Sequence, residues 1–326
     1  MALNDTTQSR EVPFGGKIIY VHEDAAPDPS LYYLSPDEAT FFKATTGIND
    51  DEELKAHILM AQEKAYKVAP YPWIRWFGFL RMGISKHSVY GDIVKIGRER
   101  KDAVFLDIGC CCEHLLQYNT YLPSLHPIVA TDARKVTADG FPSTPFPTTV
   151  TDIMKSEFLE LSHVLFRTSK ETWPAHFIPG DALDPEMLSV VPPARGPKQE
   201  PLPDLTSLTS LNALHGHCSV INASAFFHLF DEEQQLHLAR ALAGLLSHEP
   251  GSIICGIQTG KKEKGITTRV SQGAQYDLFS HSPESWKEMW NGMVFEKGEV
   301  QVRAERKEFM FAEHKIEHLY WSITRL

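Results

Sequence analysis

The chain has 326 residues, 42% hydrophobic and 23% charged, with a formal net charge of −10. That size suits one large α/β domain with additions or two small domains, and the composition is that of a globular protein. The acidic balance argues against a general grip on nucleic acid, which needs basic surface, and no apolar run approaches the ~18 residues of a membrane span.

Residues 1–34 are polar and proline-rich and are expected to extend over the surface; the first ten lack the apolar core of a signal peptide. From Ser35 the pattern turns helical. Ser35-Pro36-Asp37-Glu38 is a helix start, with Ser as cap and Pro in the first turn. The acids at 50–53 open a second helix, where the dipole favours them, and Leu54, Ile58, Ala61 and Ala65 recur at helical spacing. Pro70-Tyr71-Pro72-Trp73 is a rigid aromatic turn, and Trp76, Phe77, Phe79, Leu80 and Met82 form an aromatic-rich stripe. The stripe either packs in a core or walls a substrate pocket. Tyr71, Trp73 and Trp76, with Phe227 further on, are the candidate walls for an apolar acceptor. Residues 35–100 are accordingly expected to form a helical substrate or lid region.

The stretch that organises the chain is Val104-Phe105-Leu106-Asp107-Ile108-Gly109-Cys110-Cys111. A continuous apolar run reads as a buried parallel strand, and the carboxyl ends of such strands are where open α/β sheets bind ligands. Gly109 permits a sharp turn and a close backbone approach. The word is neither a dinucleotide G-x-G-x-x-G nor a phosphate loop, because Cys110, Cys111 and Cys112 follow Gly109 with no Gly-Lys-Ser/Thr. An acid before a small-residue turn suits a cationic or hydroxylated ligand head, and S-adenosylmethionine carries an amine, a sulfonium and a ribose diol. Three adjacent cysteines lack zinc-site spacing, and five in all make no disulfide framework. They read as buried thiols of a reducing cytoplasm, and no metal is expected.

Further strands are expected at 148–152, 177–181, 219–224 and 252–256, alternating with helices at 157–166 and 232–246, the latter capped by Asp231. Residues 192–204 carry five prolines and form a surface loop. A helix from Pro283 to Trp290 and antiparallel strands at 295–308 and 319–324 complete the chain. Three expected strands end in acids, Asp107, Asp152 and Asp181, and a doubly wound sheet collects strand ends along one edge. A carboxylate at the second strand accepts two hydroxyl hydrogen bonds from a ribose diol, and Asp181-Ala182 suits an adenine edge. Each acid alone is as readily a turn residue or a helix cap.

Several words carry a resemblance. They are Pro70-Tyr71-Pro72, Leu106-Asp107-Ile108-Gly109-Cys110-Cys111, Asp132-Ala133-Arg134-Lys135, Phe177-Ile178-Pro179-Gly180-Asp181 and Ala223-Ser224-Ala225-Phe226-Phe227-His228-Leu229-Phe230. With them the sequence, from about residue 45 to the C-terminus, resembles fungal S-adenosylmethionine-dependent methyltransferases of secondary metabolism, including carboxyl methyltransferases of meroterpenoid pathways. The resemblance implies a class I methyltransferase fold, Rossmann-like, with a helical N-terminal addition. Residues 101–326 become the donor-binding domain and a small molecule the acceptor. It implies donor contacts from Asp107, Gly109, Cys110 and Cys111, and from Asp132 and Arg134 on the following helix. Asp152 and Ile153 then take the ribose, with Asp181, Ala182, Asn222 and Ala223 completing the donor site.

The sequence departs from the family between Cys112 and Thr131, where about twenty residues intervene and Glu113 replaces a Gly. The segment is a loop insertion or a translated intron. A carboxylate acceptor is already ionised near neutrality and needs no base, whereas a hydroxyl is helped by one. His228 is the candidate base, and a packed helix-start histidine is its alternative. Two rival readings remain: a non-catalytic protein of this fold impaired by the insertion, and a nucleoside-binding α/β enzyme of another class. The sequence carries no sign of its oligomeric state.

Overall fold

In the computed structural model the chain is described at residues 9–14, 17–22, 27–68, 72–75, 77–109, 130–141, 147–148, 157–178, 180–196, 200–271, 274–311 and 314–326. An antiparallel hairpin, β1 (Ser9–Phe14) with β2 (Lys17–His22), comes first. Helices α1 (Pro36–Thr46), α2 (Asp51–Val68), the helical turn α3 (Pro72–Arg75) and α4 (Tyr90–Glu99) follow. The α/β part then runs β3 (Val104–Asp107), α5 (Thr131–Ala138), β4 (Pro147–Thr148), α6 (Glu157–Phe166), β5 (His176–Phe177), β6 (Cys218–Asn222) and α7 (Glu232–Leu245). It ends with β7 (Ile253–Thr259), β8 (Gly265–Ser271), β9 (Ala274–Ser280), α8 (Pro283–Trp290), β10 (Val300–Phe311) and β11 (His314–Arg325).

Helix starts follow their local chemistry. Ser35 caps α1, and the N3 residue Glu38 reaches back to the Ser35 N–H at 2.9 Å. Asp231 and Gln234 repeat the arrangement on α7, and Ser282 with Ser285 on α8. Gly47 ends α1 in the left-handed region, φ 71°.

The main sheet has the order β10-β11-β7-β6-β3, with β3, β6 and β7 parallel and β11 antiparallel to both β7 and β10. Every residue of β3 and β6 is buried, as strands covered on both faces require. On one face Leu106, Ile221, Ile254 and Trp321 share a core with Leu238 and Leu242 of α7 and Trp286 and Trp290 of α8. On the other, Phe105, Val220, Ile253 and Cys255 pack with Ile93 of α4 and Ala133 and Val136 of α5. A third core joins Phe41, Phe42, Leu54 and Ile58 of the N-terminal helices to Leu161, Leu165 and Phe166 of α6. The sheet is the expected α/β sheet with helices on both faces, and the expected helical N-terminal addition precedes it.

The β3–β6 ladder is irregular in one place. Val104 pairs with Cys218, but Phe105 pairs with Val220, so Ser219 is an extra residue in β6. Its hydroxyl accepts the Val104 N–H at 3.3 Å. From there the register brings Asp107 beside Asn222.

Several expectations need correction. The N-terminal segment contains the β1–β2 hairpin, and β8 pairs with β9 in a hairpin that the sequence reading did not anticipate. The strand expected to reach Asp181 ends at Phe177, and Asp181 lies in a turn of its own. The last sheet hairpin begins at Val300, with Phe295 in an isolated bridge before it. Of the strand expected at 148–152 only residue 148 is described, and of the 112–131 insertion only 130 and 131.

Gly256 of β7 sets the spacing beside the strand ends: a Cβ there would lie 2.7 Å from the Ala223 carbonyl oxygen and 2.7 Å from Trp321 Cζ2. Gly256→Ala is therefore expected to lower unfolding free energy by about 1–3 kcal/mol, as overpacking does, measured by urea denaturation at constant m-value.

Candidate functional site

The parallel strands β3 and β6 deliver Asp107 and Asn222 to one edge of the sheet, each 1% exposed. Asn222 Nδ2 donates to Asp107 Oδ1 at 2.8 Å, and Asn222 Oδ1 accepts from the Ser224 hydroxyl at 2.9 Å. The chain after β6 is held by β7: the Ala223 N–H donates to the Cys255 carbonyl at 2.8 Å and the Ala225 N–H to that of Ile257 at 2.6 Å. Ala225 adopts φ 51°, a left-handed turn that directs the chain into the Phe227–Leu229 3-10 turn. Gly109 is buried just past β3 at φ 80°, where a Cβ would be strained.

Helix α5 brings a second carboxyl group to Asp107. Asp132, in its first turn and 1% exposed, accepts the Ile84 N–H at 3.2 Å. The neighbouring Thr131 hydroxyl donates to the Phe79 carbonyl at 2.7 Å, and the Tyr90 hydroxyl donates to Asp139 Oδ2 at 2.6 Å. The start of α5 is thus docked onto residues 79–84 by its own side chains, and its end is tied to Tyr90 through Asp139. Burial and then the Asp132 charge raise the Asp107 pKa well above the carboxylate range. Burial raises Asp132 to about 7 against the opposing Ile84 and Gly83 N–H groups. Oδ2 of Asp107 and Oδ2 of Asp132 are both buried with no hydrogen-bond partner among the described residues.

Arg134, two residues on, faces the other way. Its Nη2 donates to Ser162 at 3.0 Å and to Thr168 at 3.0 Å. The guanidinium carbon sits 4.3 Å from the Phe166 ring centroid and 3.7 Å from that of Trp173. Burial lowers its pKa to about 9. These contacts tie α5 to α6 and lie away from the Asp107–Asp132 pair.

The remaining predicted positions scatter. Asp181 is exposed, and its Oδ1 accepts the Leu183 N–H at 2.9 Å in a turn of its own, while Ala182 is buried in the α7-side core. His228 is 1% exposed on the 3-10 turn after β6. Phe227 is fully buried, edge-on to Trp286 at 5.1 Å and to Trp321 at 5.6 Å, and so packs in the core. Cys110, Cys111, Asp152, Ile153, Tyr71 and Trp76 lie outside the described residues, as does the side chain of Trp73. Among the described residues no group of three His, Cys, Asp or Glu side chains is disposed to hold a metal ion, and no helix is long and apolar enough to cross a membrane. Sequence reasoning missed Ser224 and the Gly83-Ile84 backbone as parts of this edge; backbone donors leave no residue-type signal.

Comparison with known proteins agrees with the geometry. A family model described as the meroterpenoid methyltransferase N-terminal domain matches residues 28–80. The O-methyltransferase phiE of a fungal species (strain ATCC 74256) is 32% identical over 263 residues, 79% of this chain and 72% of phiE. The Asnovolin E/Chermesin D methyltransferase nvfJ of Aspergillus novofumigatus is 26% identical over 76% of this chain and 72% of its own. Among solved structures, a Burkholderia thailandensis 1,6-didemethyltoxoflavin-N1-methyltransferase aligns with TM-score 0.45 and 11% identity over 85% of this chain and 91% of that one. With 32% identity to phiE spanning 72% of that protein, and with the sheet and buried strand-end acid described above, the chain belongs to the family of fungal secondary-metabolism methyltransferases.

Proposed function

We propose that this chain transfers the methyl group of S-adenosylmethionine to an oxygen of an apolar small molecule, with a carboxylate as the acceptor group. The observation that carries the reading is the buried, half-satisfied carboxyl of Asp107 at the carboxyl end of β3, in a chain 32% identical to an O-methyltransferase. The unpartnered Oδ2 fits a cationic head: an ammonium satisfies it and offsets the charge that burial penalises. The donor would lie across the ends of β3 and β6, its amino-acid end at Asp107 and Asn222. The 149–156 and 180–182 segments would take its ribose and adenine, with Asp152 and Asp181 as their acids. Bound there, S-adenosylmethionine supplies an electrophilic methyl group on a sulfonium.

The chain's own part is alignment and exclusion of water, which can be worth several powers of ten in rate. A carboxylate acceptor attacks without losing a proton, so no base has to sit beside it. His228 would become a base only for a hydroxyl acceptor. The acidic chain, with net charge −10, favours a small apolar partner over nucleic acid. We read residues 35–100 as the acceptor-side cover and 101–326 as the donor domain, and we place the enzyme in the cytoplasm. The impaired-protein alternative is disfavoured by the docking of α5, whose start is held against residues 79–84 by Thr131 and Asp132.

S-adenosylhomocysteine is expected to bind in isothermal titration, and Asp107→Asn to weaken it by about 1.5–3 kcal/mol, the value of a hydrogen bond to a charged group. Incubation with methyl-labelled donor and extracted fungal terpenoid or polyketide acids is expected to give labelled methyl esters; label found only in protein or nucleic acid rejects the small-molecule acceptor. His228→Gln, checked for an unchanged melting temperature, is expected to retain kcat on a carboxyl acceptor. A loss of 100-fold, within the range of general-base effects, would assign hydroxyl chemistry instead.

A further inference from the structure

Asp107 ends β3 and Asp132 lies in the first turn of α5, which packs against β3, and neither forms an ion pair among the described residues. Each is 1% exposed and has one oxygen satisfied: Asp107 by Asn222 at 2.8 Å, Asp132 by the Ile84 N–H at 3.2 Å. The second oxygen of each is buried without a partner among those residues. Burial and then the charge of Asp132 raise the Asp107 pKa, and the Asn222 amide favours the ionised form of both.

Among the described residues the neighbouring elements offer no cation at this spot. From β7 comes the Cys255 thiol, which burial and both acids push up and hold neutral. From the end of β6 come the neutral Asn222 and Ser224, and from residues 83–84 two backbone N–H groups. Tyr90 of α4 is a phenol whose pKa is raised. Lys86 favours the Asp132 charge from a distance, but its side chain is 59% exposed and lies 4.0 Å from Glu38. Two desolvated carboxyl groups so placed do not both ionise unless a cation joins them, and they titrate as a pair.

We propose that Asp107 and Asp132 together form a receptor for one primary ammonium group, that of the donor's amino-acid end, and that the pair releases a bound proton when the ammonium arrives. The inference rests on the donor-binding reading above and adds Asp132 as the second anchor. In the exchange the carboxyl O–H of the protonated partner breaks, its proton passes to solvent, and ammonium N–H groups donate to both Oδ2 atoms; no bond to carbon changes. The raised Asp132 pKa, about 7, places the exchange near neutrality. The sign follows from linkage: as pH falls below the pair's pKa the proton competes with the ammonium, so affinity falls, about tenfold per pH unit for one proton.

The test is titration of the full-length protein with S-adenosylhomocysteine, which keeps the ammonium, in two buffers of different ionisation enthalpy. About one proton is expected to be released near pH 6.5, with affinity weakening about tenfold between pH 6.5 and 5.5 and level above pH 8. Asp132→Asn keeps an acceptor for the Ile84 N–H; it is expected to shift the pH range of proton release, because the Asp132 charge no longer acts on Asp107, and to weaken binding at least about tenfold at pH 8. A purely structural Asp132 would leave both the pH range and the affinity at pH 8 unchanged in that variant and overturn the proposal. Binding by the wild type with no proton released also overturns it while leaving the donor reading intact. No binding at any pH defeats the donor reading itself. Manganese binding that releases the same proton, and is lost in Asp132→Asn, would make the pair a metal site and overturn the ammonium assignment. Should Asp132→Asn not fold, the wild-type pH slope decides alone.

Discussion

The hydrogen bond from Asn222 to Asp107 holds a carboxyl group where water does not reach it. Desolvating a carboxylate costs several kcal/mol unless hydrogen bonds or an opposite charge offset it. One amide cannot satisfy both oxygens, and the charge of a second buried acid, Asp132, bears on the group as well. Among the described residues the edge of this sheet is therefore electrostatically unfinished. A fold stabilised mainly by its three apolar cores tolerates such a spot, and ligand sites are where such tolerance is found.

The N-terminal helices bear on that edge more directly than their place in the chain implies. Their core closes over α6, and the segment leaving them supplies the Phe79 carbonyl and the Ile84 N–H that fix the start of α5. Helix α5 is gripped on its far side by Arg134, wedged between Phe166 and Trp173. The helix that carries the second carboxylate is thus held from both flanks, by residues 79–84 at its start and by α6 and Trp173 on its far side.

Much of this was legible in residue patterns and some was not, for definable reasons. The capping signals at Ser35 and Asp231 and the apolar run ending in Asp107 act over a few residues, and each appears where expected. Asp181 looked like a strand-end acid, but β5 ends at Phe177 and the carboxylate serves its own turn. Phe227 looked like a pocket wall because its word is aromatic; its partners Trp286 and Trp321 lie 59 and 94 residues later, and no local pattern announces them. The pairing of Asp107 with Asp132 was hidden likewise, since spacing alone does not say which face of a helix start meets a strand end.

Ser219 carries a consequence for how this family can vary. With the same residues and no bulge the ladder would continue as it begins, from Val104 opposite Cys218 to Asp107 opposite Ile221, and a branched aliphatic chain would replace the amide beside the acid. A point substitution at Ser219 forfeits one hydrogen bond, to the Val104 N–H. Deleting Ser219 would close the bulge and still leave Asp107 opposite Asn222. The strand can therefore lose its extra residue and keep the amide beside the acid, but it cannot keep that residue and straighten.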